Sequence, residues 1–228
     1  MINKKILIIS AHPDDEILGC GGTIKKYSAN NEINCIILGE GITSRYFKRH
    51  LAPKKLIKEI QKKSKIVAKK IGIKELKQYQ LPDNRFDSVD FLDIVKQIEN
   101  DLLKIKPEII FTHSNSDLNI DHQITFQAVL TATRPILNST VKEIYSFEIP
   151  SSTDWSFGKI NGVFTPNLFI DISETFNEKL EALKIYDSEI RTFPHPRSDE
   201  ALISIAKRWG ATAGLQFAEA FEIIRIIR

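Results

Sequence analysis

Short apolar runs alternate along this chain with longer stretches in which apolar residues recur every three to four positions. Runs such as Ile6-Leu7-Ile8-Ile9 are typical of strands buried on both faces. The longer stretches are typical of amphipathic helices. The pattern predicts strands at about 5–11, 33–39, 108–112, 143–148 and 167–171, helices at about 16–29, 51–71, 88–104, 121–134, 174–187 and 198–213, and a last apolar run at about 217–227.

This alternation is typical of stacked βαβ units. It predicts an α/β, Rossmann-like fold with a mostly parallel sheet and helices on both faces. The chain has 228 residues, 42% of them hydrophobic, which is enough for one well-filled core. Neither an internal repeat nor a low-complexity linker divides the sequence. We therefore expect a single domain over residues 1–228.

The charge balance narrows the choice of partner. The chain has 32 Lys and Arg against 29 Asp and Glu, a net charge of +3, which is too even to predict binding to nucleic acid or to a membrane. The lysine-rich stretch Lys54–Lys74 fits either a nucleic-acid contact or the solvated face of an amphipathic helix. Apolar residues at helical spacing favour the helix. They are Leu56, Ile60, Ile66, Val67 and Ile71. We expect a small-molecule partner.

The cysteines and the amino terminus bear on the compartment. Cys20 and Cys35 are the only cysteines, and each lies in an apolar context that is typical of a reduced, buried thiol. The first apolar run is too short for a signal peptide, and no stretch reaches the roughly 18 apolar residues of a membrane span. These features favour a cytoplasmic protein. A homo-oligomer is compatible with the sequence, which leaves the oligomeric state open.

Polar residues with metal-binding chemistry follow the first predicted strand, in the hexapeptide Ala11-His12-Pro13-Asp14-Asp15-Glu16. Pro13 stops the strand ladder, and open α/β sheets bind their ligands at such strand ends. His12 offers a nitrogen and Asp15 an oxygen to Zn²⁺ or another first-row divalent ion. Asp14, between them, is a candidate general base. The alternative is that Asp14 or Asp15 only caps the helix that follows.

A second polar cluster, His113–His122, follows the predicted strand at about 108–112. The carboxyl ends of parallel strands share one edge of a sheet, so His122 can complete a metal site with His12 and Asp15. Three protein ligands and an open position are typical of a catalytic ion. Asp117 and Asp121 are candidates to orient a ligating imidazole, and either can instead cap the helix from about 121 to 134.

Further residues in these loops are candidates for substrate binding. Arg45 and Arg85 lie in loops where a planar guanidinium can hold hydroxyls or a phosphate, which makes a sugar nucleotide a plausible substrate. Asp83 lies in the same loop as Arg85. His113 either faces the crevice or hydrogen-bonds the neighbouring backbone.

The segment His12–Glu16, together with Asp121-His122 at the start of a later helix, resembles the LmbE-like (PIG-L) deacetylase family. Similar stretches lie at Leu81–Arg85, Asp117–His122 and Ala218–Phe221. The resemblance implies an LmbE-like fold in which His12, Asp15 and His122 hold zinc and Asp14 activates water. It also implies the reaction, hydrolysis of an acetamido group on an amino sugar.

One position departs from the family pattern. Several members have a second histidine three residues before the ligand histidine, where it assists the oxyanion or the leaving amine, and this chain has Asn119 there. Asn119 can donate to an oxyanion but cannot supply a proton. His195 is therefore our candidate for the missing acid, although a histidine between two prolines is also typical of a rigid surface loop. We group Asp121 with Asp14, Asn119 and His195 as candidate catalytic residues.

Two other functions remain compatible with the sequence. The same ligands serve a zinc amidase acting on a non-acetyl amide, such as a thiol-sugar conjugate. Asn119 also allows a sugar-binding protein without catalytic activity on the same fold.

Overall fold

The computed structural model describes residues 2–228 and contains one seven-stranded sheet with the strand order β3-β2-β1-β4-β5-β7-β6. The strands are β1 (Lys5–Ser10), β2 (Glu32–Gly39), β3 (Glu75–Leu81), β4 (Ile109–His113), β5 (Glu143–Phe147), β6 (Leu168–Asp171) and β7 (Ala218–Ile226). The helices are α1 (Asp15–Ser28), α2 (Lys54–Ile71), α3 (Phe91–Ile105), α4 (Ile120–Ala132), α5 (Phe176–Leu183) and α6 (Asp199–Ala213).

The sheet is mostly parallel, as the sequence predicts. Strands β1 to β5 are parallel to their neighbours, and β7 runs antiparallel between β5 and β6. The strand order reverses beside β1, with β2 and β3 on one side and β4 and β5 on the other. Such a reversal opens a crevice at the carboxyl ends of the strands. The loops that follow β1 and β4 therefore begin on either side of it.

The first strand is apolar throughout because both of its faces are covered. Ile6 and Ile8 pack with side chains of α1, α2, α5 and α6, whereas Leu7 and Ile9 pack with side chains of α3 and α4. Successive side chains of a strand point to opposite faces, so one continuous apolar run fills both layers. Cys20 and Cys35 are unpaired and buried, as the sequence predicts.

Two elements differ from the prediction. Strand β3 was not predicted, because its sequence ELKQYQL has no continuous apolar run. It lies at the sheet edge, where Lys77 and Tyr79 bind the buried carboxylate of Asp101 at 2.5 and 2.9 Å. Helix α5 ends at Leu183, four residues before the predicted end. The irregular segment 184–198 that follows reaches the carboxyl edge of the sheet.

The lysine-rich stretch forms helix α2, which buries Ile60, Val67 and Ile71 and exposes most of its lysines. This confirms the amphipathic helix. Ile66, predicted for its buried face, is 57% exposed instead. No helix within residues 2–228 is long and apolar enough to cross a membrane.

The buried ion pair between Lys179 and Glu219 binds the backbone of helix α1. The helix is kinked at Cys20, where φ is −147° and ψ is 25°. Glu219 on β7 accepts the backbone N–H groups of Gly22 and Thr23 at 3.0 and 2.7 Å. Lys179 donates to Glu219 at 2.6 Å and to the carbonyl of Leu18 at 2.8 Å. The pair therefore satisfies backbone groups on both sides of the kink.

We predict that Lys179→Met destabilises the protein, because it leaves the Glu219 carboxylate buried without its cation. Breaking a buried pair in this way costs about 3–5 kcal/mol of unfolding free energy. Urea denaturation followed by circular dichroism measures the loss. Lys184→Met is the control, since Lys184 pairs with Glu181 at the surface and should change stability little. Equal effects of the two substitutions would contradict the prediction.

Candidate metal centre and catalytic pocket

The turn between β1 and α1 presents its polar side chains without using them as caps. Asp14 has φ 100° and ψ −32°, a backbone conformation that costs energy for any residue except glycine. Its N–H donates to Glu16 at 3.0 Å, and its carbonyl accepts the N–H groups of Ile17 and Leu18. The Asp14 side chain makes no capping bond, and Asp15 accepts from the N–H of His12 at 2.8 Å. Neither carboxylate therefore caps helix α1.

His12, Asp15 and His122 bring three donor atoms into an almost equilateral triangle. His12 Nδ1 and His122 Nε2 are 3.3 Å apart, and they lie 3.4 and 3.3 Å from Asp15 Oδ2. A tetrahedral zinc ion with metal–ligand distances of about 2.0–2.1 Å has ligand atoms about 3.3–3.4 Å apart. Asp15 Oδ1 is buried and has no hydrogen-bond partner within residues 2–228. The three residues therefore fit a divalent ion.

Each histidine has a carboxylate beside its other ring nitrogen. His12 Nε2 lies 2.8 Å from Asp121 Oδ2, and Asp121 also accepts the backbone N–H groups of Asn84 and Phe86. His122 Nδ1 lies 3.1 Å from Asp117 Oδ2. Such partners fix the tautomer and the ring orientation of metal-binding histidines. The arrangement leaves His12 Nδ1 and His122 Nε2 free to bind an ion.

The carboxylates also set the charge of the cluster. Burial lowers the pKa of His122, but Asp117 and Asp15 together raise it to about 9. Burial likewise opposes the charged form of His12, yet contacts with Asp121 and Asp15 raise its pKa well above the usual value. Burial raises the pKa of Asp15, but His122 and His113 bring it well below the usual value. The cluster thus favours positive charge at its centre, which a divalent ion supplies in place of protons.

His113 packs against the donor triangle. Its Nε2 accepts the N–H of Ala11 at 2.8 Å, and its ring stacks on His122 with centroids 4.0 Å apart. Burial lowers the pKa of His113 to about 3, so the imidazole is neutral. The backbone contact was one of the two alternatives in the sequence, and the structure selects it. His113 does not line the pocket described next.

Above the donor triangle lies a polar pocket of about 180 Å³. Besides the three residues of the donor triangle, four candidates from the sequence line the pocket: Asp14, Arg45, Asp83 and Asn119. The remaining lining residues are Pro13, Gly41, Ser44, Asn84, Glu189 and Arg197. Arg85 lies two residues after Asp83 and is not among them. Asp121 is fully buried behind His12 and acts through it.

Asn119 combines a local structural role with its place in the pocket. Its side-chain oxygen accepts the N–H of Asp121 at 2.9 Å and caps helix α4. Asn119, and not Asp117 or Asp121, is thus the cap of this helix. The amide oxygen already accepts this hydrogen bond. The amide nitrogen is therefore the atom left to contact a ligand, as a donor.

His195 does not enter the pocket. Its ring packs against Trp155 with centroids 5.4 Å apart, and its Nδ1 accepts the N–H of Arg197 at 3.1 Å. The turn around His195 directs Arg197 towards Asp14 instead. An acid role for His195 therefore has no support from its position.

Arg197 is one of the pocket residues that sequence reasoning missed. It donates to Asp14 Oδ2 at 2.7 Å, and its Nε is held by the hydroxyl of Ser151 at 2.9 Å and the carbonyl of Pro150 at 3.2 Å. The pKa of Asp14 lies well above its usual value, because burial raises it more than the charge of Arg197 lowers it. Glu189 Oε2 is 3.8 Å from Arg197, and Glu189 also pairs with Arg45. Loops from three parts of the chain thus meet over Asp14.

Comparison with known proteins identifies the family. The model of the family described as PIG-L, GlcNAc-PI de-N-acetylase, matches residues 7–133. The chain belongs to the PIG-L family. This match covers the whole of the donor triangle and both loops of the crevice, and it confirms the resemblance seen in the sequence.

Curated relatives of this PIG-L protein are named as deacetylases. A probable N-acetyl-alpha-D-glucosaminyl L-malate deacetylase 2 of Bacillus cereus is 27% identical, covering 82% of this chain and 84% of the relative. A diacetylchitobiose deacetylase of Thermococcus kodakarensis is 26% identical, covering 97% of this chain and 83% of the relative. These names support a deacetylase of N-acetylated sugar-related substrates.

The fold itself occurs with a different reaction. The structure of GalB, the 4-carboxy-2-hydroxymuconate hydratase of Pseudomonas putida KT2440, has a TM-score of 0.76 at 17% identity, covering 99% of this chain and 98% of that chain. Likeness at this level shows the fold alone. The reaction of this family member must therefore be argued from its own site residues.

We predict that His122→Ala abolishes metal binding by this PIG-L protein, because it removes one of three donors. The wild-type chain should retain about one divalent ion after dialysis, as expected for a three-ligand protein site. Inductively coupled plasma mass spectrometry measures the ratio. His195→Ala, outside the pocket, is the control and should keep its ion. Full occupancy in His122→Ala would show that the ion binds elsewhere.

Proposed function

We propose that this protein is a zinc-dependent N-deacetylase that removes the acetyl group from an N-acetylated amino sugar or from its nucleotide or glycoconjugate. One observation carries the proposal: the equilateral donor triangle lies at the base of a polar pocket that also contains the Asp14 carboxylate. Family membership supports the same reaction.

His12, Asp15 and His122 would hold the ion. Two imidazoles and one carboxylate suit Zn²⁺, and another first-row divalent ion is chemically possible. A bound ion of this kind polarises an amide carbonyl and makes water more acidic. Asp121 and Asp117 keep the two imidazoles in the tautomers that this role requires.

Asp14 is the proposed general base. It takes a proton from water as the water oxygen bonds to the acetamide carbon. When the carbon–nitrogen bond breaks, Asp14 returns this proton to the leaving nitrogen, and the products are acetate and a free amine. Two observations favour one residue for both transfers: His195 lies outside the pocket, and Asn119 has no titratable proton.

Two further roles are assigned to Asn119 and Arg197. The Asn119 amide nitrogen can donate to the oxyanion that forms on the acetamide oxygen. In the family members that have a histidine at this position, the histidine would assist the oxyanion instead. Arg197 is a positioning residue for Asp14, because its guanidinium is fixed by Ser151 and Pro150 and donates to one carboxylate oxygen. The other oxygen of Asp14 is then left to meet the water.

The proposal is tested by measuring acetate released from a panel of N-acetylhexosamines, their nucleotide derivatives and a thiol-sugar conjugate with a non-acetyl amide. Zinc-loaded and chelator-stripped protein are compared. Acetate that depends on the ion supports the deacetylase. Amine release from the conjugate alone would instead favour the other amidase, and sugar binding without hydrolysis would favour a binding protein.

We predict that Asp14→Asn lowers kcat by about 10²–10⁴-fold, the usual contribution of a general base. Bound metal should stay at the wild-type level, because Asp14 is not one of the three donors. Acetate release and metal content are measured on the same preparation. Asp87→Asn, at an exposed carboxylate, is the control. Wild-type activity in metal-loaded Asp14→Asn would refute the role of Asp14.

We predict that Arg197→Met lowers kcat by roughly 10²-fold, the scale of effect when a catalytic group is displaced by about 1 Å. KM and metal content should change much less, since the guanidinium acts on Asp14. Arg197→Lys should recover part of the rate by keeping the charge. Arg191→Met is the matched control, because Arg191 is an exposed arginine of the same segment. An unchanged kcat in Arg197→Met would remove Arg197 from the mechanism.

A further inference from the structure

Glu16 is the one acid of the hexapeptide 11–16 that belongs neither to the donor triangle nor to the lining of the pocket. It is buried, and both oxygens of its carboxylate have partners. Oε2 accepts the backbone N–H of Asp14 at 3.0 Å, and Oε1 accepts the hydroxyl of Tyr186 at 2.7 Å. Glu16 therefore connects the turn that carries Asp14 to a residue 170 positions later in the sequence.

The backbone of Asp14 is held at both ends in a conformation that costs energy. Its φ of 100° is unfavourable for a residue with a side chain, and such a conformation persists only where the surroundings hold it. The carbonyl of Asp14 accepts the N–H groups of Ile17 and Leu18, both at 2.9 Å, while its own N–H donates to Glu16. Because φ is a rotation about the N–Cα bond, fixing the N–H and the carbonyl also fixes the direction of the Cα–Cβ bond. These hydrogen bonds therefore set the direction of the Asp14 side chain.

Close packing also restricts this turn. A Cβ atom on Gly41 would lie 2.4 Å from Cδ of Pro13, so the loop after β2 lies directly against the residue before Asp14. The ring of Pro13 fixes its own φ as well. The turn is thus packed against one loop and hydrogen-bonded to Glu16.

The irregular segment 184–198 contacts Asp14 in two ways. Tyr186, near its start, is fully buried in the core, where its hydroxyl reaches Glu16. Arg197, near its end, donates to Asp14 Oδ2 at 2.7 Å. The segment therefore acts on the carboxylate directly through Arg197 and on the backbone through Tyr186 and Glu16.

We propose that Glu16 and Tyr186 are positioning residues for the general base, and that their hydrogen bonds hold the Asp14 backbone in the conformation that directs its carboxylate into the pocket. Without the hydroxyl of Tyr186, Glu16 Oε1 would be buried without a donor, which is unfavourable, and the Glu16 side chain would no longer be fixed at both oxygens. The alternative is that Glu16, in the first turn of α1, only stabilises the helix through its dipole. That role would not move Asp14. The inference rests on the proposed function for what the positioned carboxylate does.

The kinetic test compares Tyr186→Phe with Tyr145→Phe in the zinc-loaded protein. Tyr145 is the matched control, because it is also a buried tyrosine whose hydroxyl donates to a glutamate, Glu143, and neither of the two lines the pocket. We expect Tyr186→Phe to lower kcat about tenfold, part of the roughly 10²-fold loss that a displacement of 1 Å can cause. KM and bound metal should stay near the wild-type values, since no binding group is removed. Tyr145→Phe should leave kcat unchanged.

A double variant shows whether the effect passes through Asp14. In the Asp14→Asn background, Tyr186→Phe should lower the residual kcat no further, because residues that act as one unit are not additive. A further tenfold loss in that background, or an unchanged kcat in Tyr186→Phe alone, overturns the proposal. Thermal denaturation checks that each variant is folded. If Tyr186→Phe is not, Glu16→Met replaces it, since it removes both acceptor oxygens and keeps the length of the side chain, and it should bring the same loss.

Crystal structures of the wild type and of Tyr186→Phe give a readout that does not depend on activity. We expect Asp14 to leave its φ near 100° in the variant and its hydrogen bond to Arg197 to lengthen or break. An Asp14 that keeps its wild-type conformation overturns the proposal. A displaced Asp14 in a protein that releases no acetate would support the positioning role and reject the deacetylase. Acetate release by the wild type, with Asp14 unmoved in the variant, would support the deacetylase and reject the positioning role.

Discussion

The side-by-side pairing of β1 and β4 is the constraint on which the site depends. These strands pair in parallel from Ile6 with Ile109 to Ile8 with Phe111, so both end at the same edge of the sheet. His12 and His122, 110 positions apart in sequence, thereby come within 3.3 Å of each other. The apolar runs that fill both layers of the core thus also fix the distance between the two imidazoles.

Burial of so many ionisable groups at one place has an energetic cost that the network offsets. Isolated buried charges are strongly unfavourable unless they are paired and hydrogen-bonded. Asp121 accepts two backbone N–H groups besides its contact with His12, and Asp117 accepts the hydroxyls of Ser152 and Thr153. Asp15 Oδ1 has no hydrogen-bond partner among the described residues, and a bound ion would supply positive charge beside this carboxylate.

Sequence predicts the parts of this protein whose signals are local. The central strands were predicted because they are buried on both faces, whereas β3 was missed because an edge strand such as ELKQYQL has no apolar run. The strand-end position of His12–Asp15 and of His122 likewise indicated a site. Arg197 was not found, since it meets Asp14 across 183 positions through an irregular segment that no periodicity describes. His195 was a candidate acid because its residue type suits that role. The sequence does not show the direction of its side chain in the turn.

Anomalous X-ray diffraction at the zinc edge, from crystals of the zinc-loaded protein, tests the central claim most directly. The account predicts one strong peak about 2.0–2.1 Å from His12 Nδ1, Asp15 Oδ2 and His122 Nε2. His12, Asp83 and Asp121 form another group of atoms close enough to hold an ion. A peak there, or none at the donor triangle, would contradict the account.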